Sequence, residues 1–196
     1  MSAAAASPAD QGARIGPGAF IAVVGASGVG KDALISYVRE RLDDQVHFPR
    51  RVITRPAGAG EDHEPFDESG FEDACAAGAF AVSWRAHGLG YGIPATADHH
   101  VRDGRAVVAN VSRAVLAPLA ERYANFVVVR IVVSEAVREL RLRTRKREES
   151  HDIAARLARV DPAPEFPVDV EVQNDGTIAE GGEQLLSAIR SVLQPA

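Results

Sequence analysis

Several features that define other classes of protein are scarce or missing in this sequence. The chain of 196 residues has one cysteine, Cys75, which excludes a disulfide framework and favours a reducing compartment. No apolar run is long enough to span a membrane, and the formal net charge of -5 argues against a general nucleic-acid binder. The start of the chain lacks the basic and strongly apolar regions of a signal peptide. We therefore expect a cytoplasmic globular protein, with Cys75 buried on the apolar side of a helix.

Lysine is also nearly missing, because only Lys31 and Lys146 are found among 22 basic residues. Lys31 lies in "VVGASGVGKDAL", residues 23–34, where the spacing of Gly25, Gly30 and Lys31 is that of a phosphate-binding loop. Glycines there let backbone N–H groups converge on phosphate oxygens, and the lysine reaches the terminal phosphates. The candidate ATP-binding residues of this loop are Gly25, Ala26, Ser27, Gly28, Val29, Gly30, Lys31, Asp32 and Ala33.

The surroundings of the loop strengthen this interpretation. The apolar run "AFIAVVG", Ala19–Gly25, predicts a buried strand directly before the loop. Residues Lys31–Leu42 predict a helix directly after it, with Leu34, Ile35, Val38 and Leu42 on one face. Further strands and helices alternate along the chain, and "NFVVVRIVV" at 125–133 has the strongest pattern of a buried strand. The pattern predicts an α/β fold of the P-loop NTPase type, with a mostly parallel sheet flanked by helices.

The expected organisation is simple. Residues 1–17 read as a disordered tail, and residues 18–196 as one kinase domain. The segment "LGYGIP" at 89–94 is rich in glycine and reads as turn material.

Asp32 is unusual, because the residue after the loop lysine normally supplies a Ser or Thr hydroxyl to Mg²⁺. A carboxylate close to a phosphate near a protein surface is repelled by roughly 1–4 kcal/mol per charge pair. A divalent cation between the two groups reverses the sign, since aspartate is a good oxygen ligand for Mg²⁺. We interpret Asp32 as the metal ligand, directly or through water. The alternative is a degenerate loop that no longer binds Mg·ATP.

The runs "GKD", "ITRPAGAGEDH", "SWRAHGLGYGIP" and "VVANVSRAVL" together resemble the ribose 1,5-bisphosphate phosphokinase family of the guanylate-kinase-like P-loop kinases. The resemblance extends from about Ala19 to Leu193 and includes an aspartate after the loop lysine, although that family often has Ser at the position of Ala33. It implies small acceptor-binding and lid segments, ATP and Mg²⁺ as cofactors, and synthesis of 5-phospho-α-D-ribose 1-diphosphate in phosphonate breakdown. It also implies a small-molecule substrate, no nucleic-acid or membrane partner, and a monomer or homodimer.

The same resemblance places the acceptor site. Arg55 corresponds to an arginine that contacts the acceptor's phosphate, and Tyr91 is also suited to a phosphate. Guanylate kinases read guanine with acidic and hydroxyl groups at positions that are Ser83, Ile93 and Asn110 here. Missing hydrogen-bond partners for a buried base argue against guanylate as the acceptor. The candidate substrate-binding residues are Arg55, Glu61, Ser83, His87, Tyr91, Asn110 and Arg156.

The sequence shows no Ser-His-Asp arrangement, no metal-binding His/Cys cluster and no evident general base. A phosphate nucleophile needs none, because its second pKa lies near 6 and its oxygen is largely ionised at neutral pH. The basic stretch "RELRLRTRKREES" at 138–150 is either a solvated helix face or, by the resemblance, a lid over the phosphates. The expected catalytic residues are Lys31, Asp32, Arg145 and Arg147.

Three points stay open on the sequence alone. Asn174, in "VQNDG", resembles a residue that touches adenine, but the same letters also form an ordinary turn. A guanylate-type nucleoside monophosphate kinase is the alternative enzyme. A catalytically silent binding module is the alternative from another class, although the intact Gly30 and Lys31 speak against it.

Overall fold

The computed structural model describes residues 13–42, 44–58, 62–144 and 163–194. The strands are β1 Ile15–Val24, β2 Val46–His47, β3 Arg51–Ile53, β4 His63–Pro65, β5 Phe80–Ala86, β6 Leu89–Pro94, β7 Ala106–Asn110, β8 Tyr123–Val132 and β9 Val170–Gln173. The helices are α1 Lys31–Leu42, α2 Glu68–Ala76, α3 Thr96–Arg102, α4 Leu116–Arg122, α5 Glu135–Thr144 and α6 Ile178–Leu193. A 3₁₀ turn over Arg113–Val115 precedes α4.

The main sheet has the strand order β2-β7-β1-β8-β9, and all of its pairings are parallel. Strand β1 lies at its centre, with Ile21 opposite both Val108 of β7 and Val127 of β8. Ile21 and Val23 face one hydrophobic cluster, while alternate residues of β1 face the other. Strands buried on both faces need a layer of helices on each side. The predicted parallel α/β fold is therefore confirmed.

Helices α1 and α6 cover one face of the main sheet. The predicted helix at Lys31–Leu42 is confirmed with the same bounds, and its predicted apolar face is buried. This face packs with Leu185 and Ile189 of α6 against the sheet. Helices α3 and α4 cover the opposite face through Ala97, Val101, Leu116 and Leu119. The carboxyl ends of β1 and β7 are thereby fixed side by side, which is where the phosphate-binding loop begins.

A second, smaller sheet has the order β4-β3-β6-β5. Its strand β6 covers residues 89–94, so the prediction of turn material for "LGYGIP" is wrong. The glycines occur where aromatic rings press on the strand: a Cβ on Gly90 would lie 2.7 Å from the ring of Phe71, and one on Gly92 would lie 2.6 Å from the ring of Phe80. Glycine here allows a close approach between layers rather than a turn.

Two further expectations need correction. Strand β1 begins at Ile15, which pairs with Tyr123, so residues 15–17 belong to the sheet rather than to the expected tail. Cys75 is exposed on α2 instead of buried, with its Sγ 3.7 Å from Ser83 Oγ. Helix α2 is short and buries mainly Phe71, which leaves the face that bears Cys75 open to solvent. None of the helices in the described ranges is long and apolar enough to cross a membrane.

Candidate active site

The loop between β1 and α1 has the geometry of a phosphate-binding loop. Gly30 has a φ of +91°, and a Cβ at this position would lie 2.8 Å from Asn174 Nδ2. Only glycine therefore meets both the backbone conformation and the space available. Lys31 Nζ donates to Gly25 O at 2.7 Å and to Ala26 O at 3.2 Å, so its ammonium group lies against the first carbonyl groups of the loop.

The electrostatics around Lys31 suit an anionic ligand. Burial lowers the pKa of Lys31 to about 8, with Asp32 opposing the shift and the positive charges of Arg51 and Arg138 adding to it. A phosphate group placed against the lysine would stabilise its charged form. Arg51 and Arg138 therefore add to the positive potential around Lys31.

Asn174 supports the loop from the sheet side. It follows β9, is only 3% exposed, and donates from Nδ2 to Val29 O at 2.7 Å. Its backbone N–H donates to Val132 O at 2.8 Å, which fixes it to the end of β8. The structure thus places the amide of Asn174 behind the phosphate-binding loop. The contact with adenine expected from the sequence stays a prediction.

Asp32 is held by a neighbour from the next strand. Asn110 ends β7, opposite Val23 of β1, and its Nδ2 donates to Asp32 Oδ1 at 2.6 Å. Asp32 is exposed, and its Oδ2 has no partner among the described residues. Asn110 therefore fixes one oxygen of the carboxylate and leaves the other directed to the space beside the loop.

This arrangement fits the predicted magnesium ion. Mg²⁺ typically keeps several waters and binds one or two carboxylates together with substrate phosphates. No cluster of three or more His, Cys, Asp or Glu side chains within the described ranges could hold a metal ion alone. A single carboxylate next to a phosphate-binding loop agrees with an ion held largely by the nucleotide.

A cleft of about 660 Å³ lies between the loop and the second sheet. Its lining includes the loop residues 25–27 and the ends of β7 and β8. Five arginines and no carboxylate occur among the described lining residues; the arginines are Arg51, Arg85, Arg113, Arg130 and Arg138. Two of them also form ion pairs outside the lining, Arg85 with Glu68 and Arg130 with Glu171. A cleft of one charge sign concentrates ligands of the opposite sign, here polyanions.

The second sheet contributes a flat aromatic wall to this cleft. Trp84 and Tyr91 are cross-strand neighbours, with ring centroids 5.3 Å apart and planes 6° from parallel. His87, in the turn between β5 and β6, has a φ of +56° and also lines the cleft. Of the predicted acceptor residues, His87, Tyr91 and Asn110 are therefore brought together beside the loop.

Other predicted residues are not in the described lining. Ser83 lies next to Trp84 on a strand, so its side chain points to the opposite face, where it meets Cys75 of α2. Arg55 lies beyond the end of β3, where Nη1 donates to Pro56 O at 3.2 Å. Four predicted site residues lie outside the described residues: Glu61, Arg145, Arg147 and Arg156.

The sequence placed Arg138 and Arg141 in the basic stretch at 138–150 without singling them out as site residues, and it did not single out the other cleft arginines. Arg138 of α5 donates from Nε to Ser27 O at 3.2 Å, and Arg141 donates from Nη1 to Val29 O at 3.4 Å. Residues three apart on a helix share a face, so the Arg-x-x-Arg spacing of "RELR" could have indicated this pair. Arg51, Arg113 and Arg130 have no comparable local signal, because their roles depend on how the two sheets meet.

Fold and site together define a phosphotransferase of the P-loop class. Among solved structures, a guanylate kinase from Anaplasma phagocytophilum has the same fold, with a TM-score of 0.64 and 19% identity over 91% of this chain and 88% of that one. A gluconokinase from Sinorhizobium meliloti 1021 has a TM-score of 0.51 and 20% identity over 92% of this chain and 95% of that one.

Curated relatives are closer in sequence. Ribose 1,5-bisphosphate phosphokinase PhnN of Pseudofrankia inefficax is 64% identical over 176 residues, which cover 90% of this chain and 93% of that protein. The enzyme of the same name from a Chelativorans species is 44% identical over 178 residues, covering 88% and 85%. No protein-family model matches the chain. The chain belongs to the ribose 1,5-bisphosphate phosphokinase family.

The position of Asn174 generates a test of how the loop is held. Replacement of Asn174 by Ala removes the hydrogen bond to Val29 O and opens a gap below Gly30. Loss of such a bond typically costs about 0.5–1.5 kcal/mol. We expect the affinity for ATP and for inorganic tripolyphosphate to fall equally, by roughly two- to tenfold, in titration calorimetry.

The matched control is Gln173→Ala, which alters the exposed residue directly before Asn174, at the end of β9, and should leave both affinities unchanged. A loss of affinity for ATP with none for tripolyphosphate would show that Asn174 contacts the adenosine part instead.

Proposed function

We propose that this protein transfers the γ-phosphoryl group of ATP to ribose 1,5-bisphosphate, giving 5-phospho-α-D-ribose 1-diphosphate. The observation that carries this proposal is the arginine-lined cleft beside the phosphate-binding loop. Both of the proposed ligands are polyanions, and they must lie close together during the reaction. Membership of the family adds the identity of the acceptor, since its curated relatives are named for that reaction.

The described residues of the cleft lack an arrangement for reading a guanine base. Ser83 faces α2, Ile93 is 1% exposed and apolar, and the Asn110 amide is engaged with Asp32. A buried base without hydrogen-bond partners is rejected strongly. The arginines of the lining suit the two phosphates of a compact sugar phosphate, and the flat face formed by Trp84 and Tyr91 can pack against its sugar ring.

The proposed site for ATP, the phosphoryl donor, follows from the geometry of the phosphate-binding loop. Its backbone N–H groups and the N-terminus of α1 would bind the β- and γ-phosphates, and Lys31 would contact the terminal phosphates as a point charge. Asp32 would bind Mg²⁺ through the oxygen that Asn110 leaves free. A bound Mg²⁺ neutralises part of the charge on the phosphates.

The acceptor side needs positioning more than proton transfer. An oxygen of the 1-phosphate attacks the γ-phosphorus in line, and the bond from that phosphorus to the departing ADP oxygen breaks. The attacking oxygen is ionised already, so no general base is required. Arginines of the cleft would hold the two anions in contact and so offset the repulsion between them. The lid roles of Arg145, Arg147 and Arg156, and the acceptor roles of Arg55 and Glu61, stay predictions, as do phosphonate breakdown and a cytoplasmic location.

A substrate panel tests the proposal. Purified protein with Mg·ATP is assayed for ADP formation with ribose 1,5-bisphosphate, ribose 5-phosphate, AMP and GMP as acceptors. We expect kcat/KM with ribose 1,5-bisphosphate to exceed that with GMP at least about a hundredfold, because the described part of the site offers no partners for the base. Preference for GMP would replace the proposal by the guanylate kinase alternative. Binding without turnover of any acceptor would favour a silent module.

The role of Asp32 has its own test. Asp32→Ala removes the free oxygen, so the Mg²⁺ concentration for half-maximal binding of a non-hydrolysable ATP analogue should rise about tenfold or more. Asp32→Ser supplies the hydroxyl that ordinary loops have at this position, so it should recover part of the affinity. Calorimetric titrations at several Mg²⁺ concentrations measure both.

Asp103→Ala serves as the control, because this exposed carboxylate at the end of α3 lies outside the cleft lining. Mg²⁺ dependence that is the same in Asp32→Ala as in the natural protein would remove the metal role from Asp32.

A further inference from the structure

Arg51 connects the two halves of the cleft. It is the first residue of β3 in the second sheet, yet its Nη1 donates to Asn110 O at 3.3 Å, at the end of β7 in the main sheet. Its guanidinium carbon lies 5.6 Å from the centroid of the Tyr91 ring. The side chain therefore lies where the second sheet approaches the phosphate-binding loop, and it lines the cleft.

The charge of Arg51 has no counter-ion among the residues that the structure describes. No carboxylate of this part of the chain lies within ion-pair distance of it, and its buried Nε has no hydrogen-bond partner there. The preceding residue, Arg50, is the opposite case, since it pairs with Asp62 at 3.1 Å and with Glu64 at 2.6 Å. A partly buried guanidinium with unused donors is poorly satisfied alone, and an anion with several oxygens, such as a phosphate, can satisfy it.

The position of Arg51 along the cleft indicates which anion it would bind. Asn110 contacts Arg51 through its carbonyl and Asp32 through its amide. Only Asn110 therefore lies between Arg51 and Asp32, at the end of the cleft where ATP would bind. The attacking phosphate has to occupy this end of the cleft, next to the γ-phosphoryl group.

We propose that Arg51 binds the 1-phosphate of the acceptor and holds it for attack, a role that rests on the proposed function. Two N–H donors of one guanidinium can bind two oxygens of a phosphate at once, which fixes the orientation of the phosphate as well as its position. Tyr91 restricts the guanidinium from one side and the Asn110 carbonyl orients one of its nitrogens. The 5-phosphate then lies farther from the loop, toward the rest of the cleft.

Calorimetric titration with three ligands tests this assignment. The natural protein, Arg51→Lys, Arg51→Met and the neighbouring control Arg50→Met are each titrated with ribose 1,5-bisphosphate, with ribose 5-phosphate and with Mg·ATP. We expect Arg51→Met to bind ribose 1,5-bisphosphate roughly tenfold to a hundredfold more weakly, because charge-assisted hydrogen bonds are lost. Arg51→Lys should lie between it and the natural protein. Affinity for ribose 5-phosphate and for Mg·ATP should change less than about twofold, and Arg50→Met should match the natural protein throughout.

The outcomes separate the two proposals. If the natural protein does not bind ribose 1,5-bisphosphate, the proposed function fails and the role of Arg51 fails with it. If the natural protein binds it and Arg51→Met binds it equally well, only the role of Arg51 is overturned. Equal losses for both sugar phosphates would overturn the assignment to the 1-phosphate. Thermal unfolding checks that Arg51→Met is folded, and Arg51→Lys preserves the test if it is not.

Discussion

The close packing of Asn174 against the phosphate-binding loop is the constraint on which the rest of the site depends. Gly30 leaves no room for a Cβ, and the Asn174 amide uses this closeness to hold Val29 O. Arg138 and Arg141 hold the loop's carbonyl groups at Ser27 and Val29 from α5. With its carbonyls held from outside, the loop can present its N–H groups to an anion without first reorganising, and preorganised dipoles of this kind are the main contribution of a protein to phosphoryl transfer.

Asn110 connects the part of the site proposed for ATP and Mg²⁺ with the part proposed for the acceptor. Its amide fixes Asp32, and its carbonyl accepts from Arg51, so one residue at the end of β7 orients the proposed metal ligand and the proposed phosphate ligand. An aspartate here would place a second negative charge against Asp32, whereas the neutral amide donates a hydrogen bond to it. The aspartate at position 32 and the asparagine at position 110 thus depend on each other physically. This link gives a reason for the unusual Asp32 that sequence patterns alone do not contain.

Sequence reasoning succeeded where the signal was local. The strand, loop and helix around Lys31 follow from an apolar run, glycine spacing and one helical face, and all three are within about two dozen residues. It failed where contacts between distant elements decide the outcome. The glycines of β6 indicate turns until Phe71 and Phe80 are seen to pack on them. Arg51 has ordinary local surroundings, and its contact with Asn110 depends on how β3 and β7 come together. Asn174 was predicted to touch adenine, but its hydrogen bond to the phosphate-binding loop depends on where β9 ends.

The destination of the transferred phosphoryl group tests most directly whether the 1-phosphate meets ATP in the cleft. ATP labelled with ¹⁸O in its γ-phosphoryl group is incubated with Mg²⁺, ribose 1,5-bisphosphate and the protein, and the products are examined by ³¹P NMR. The account predicts a diphosphate at carbon 1 of the sugar, with the label in its outer phosphate. Label released only as inorganic phosphate, or transferred to the 5-position, would contradict it, because the γ-phosphoryl group would then not have met the 1-phosphate in the cleft.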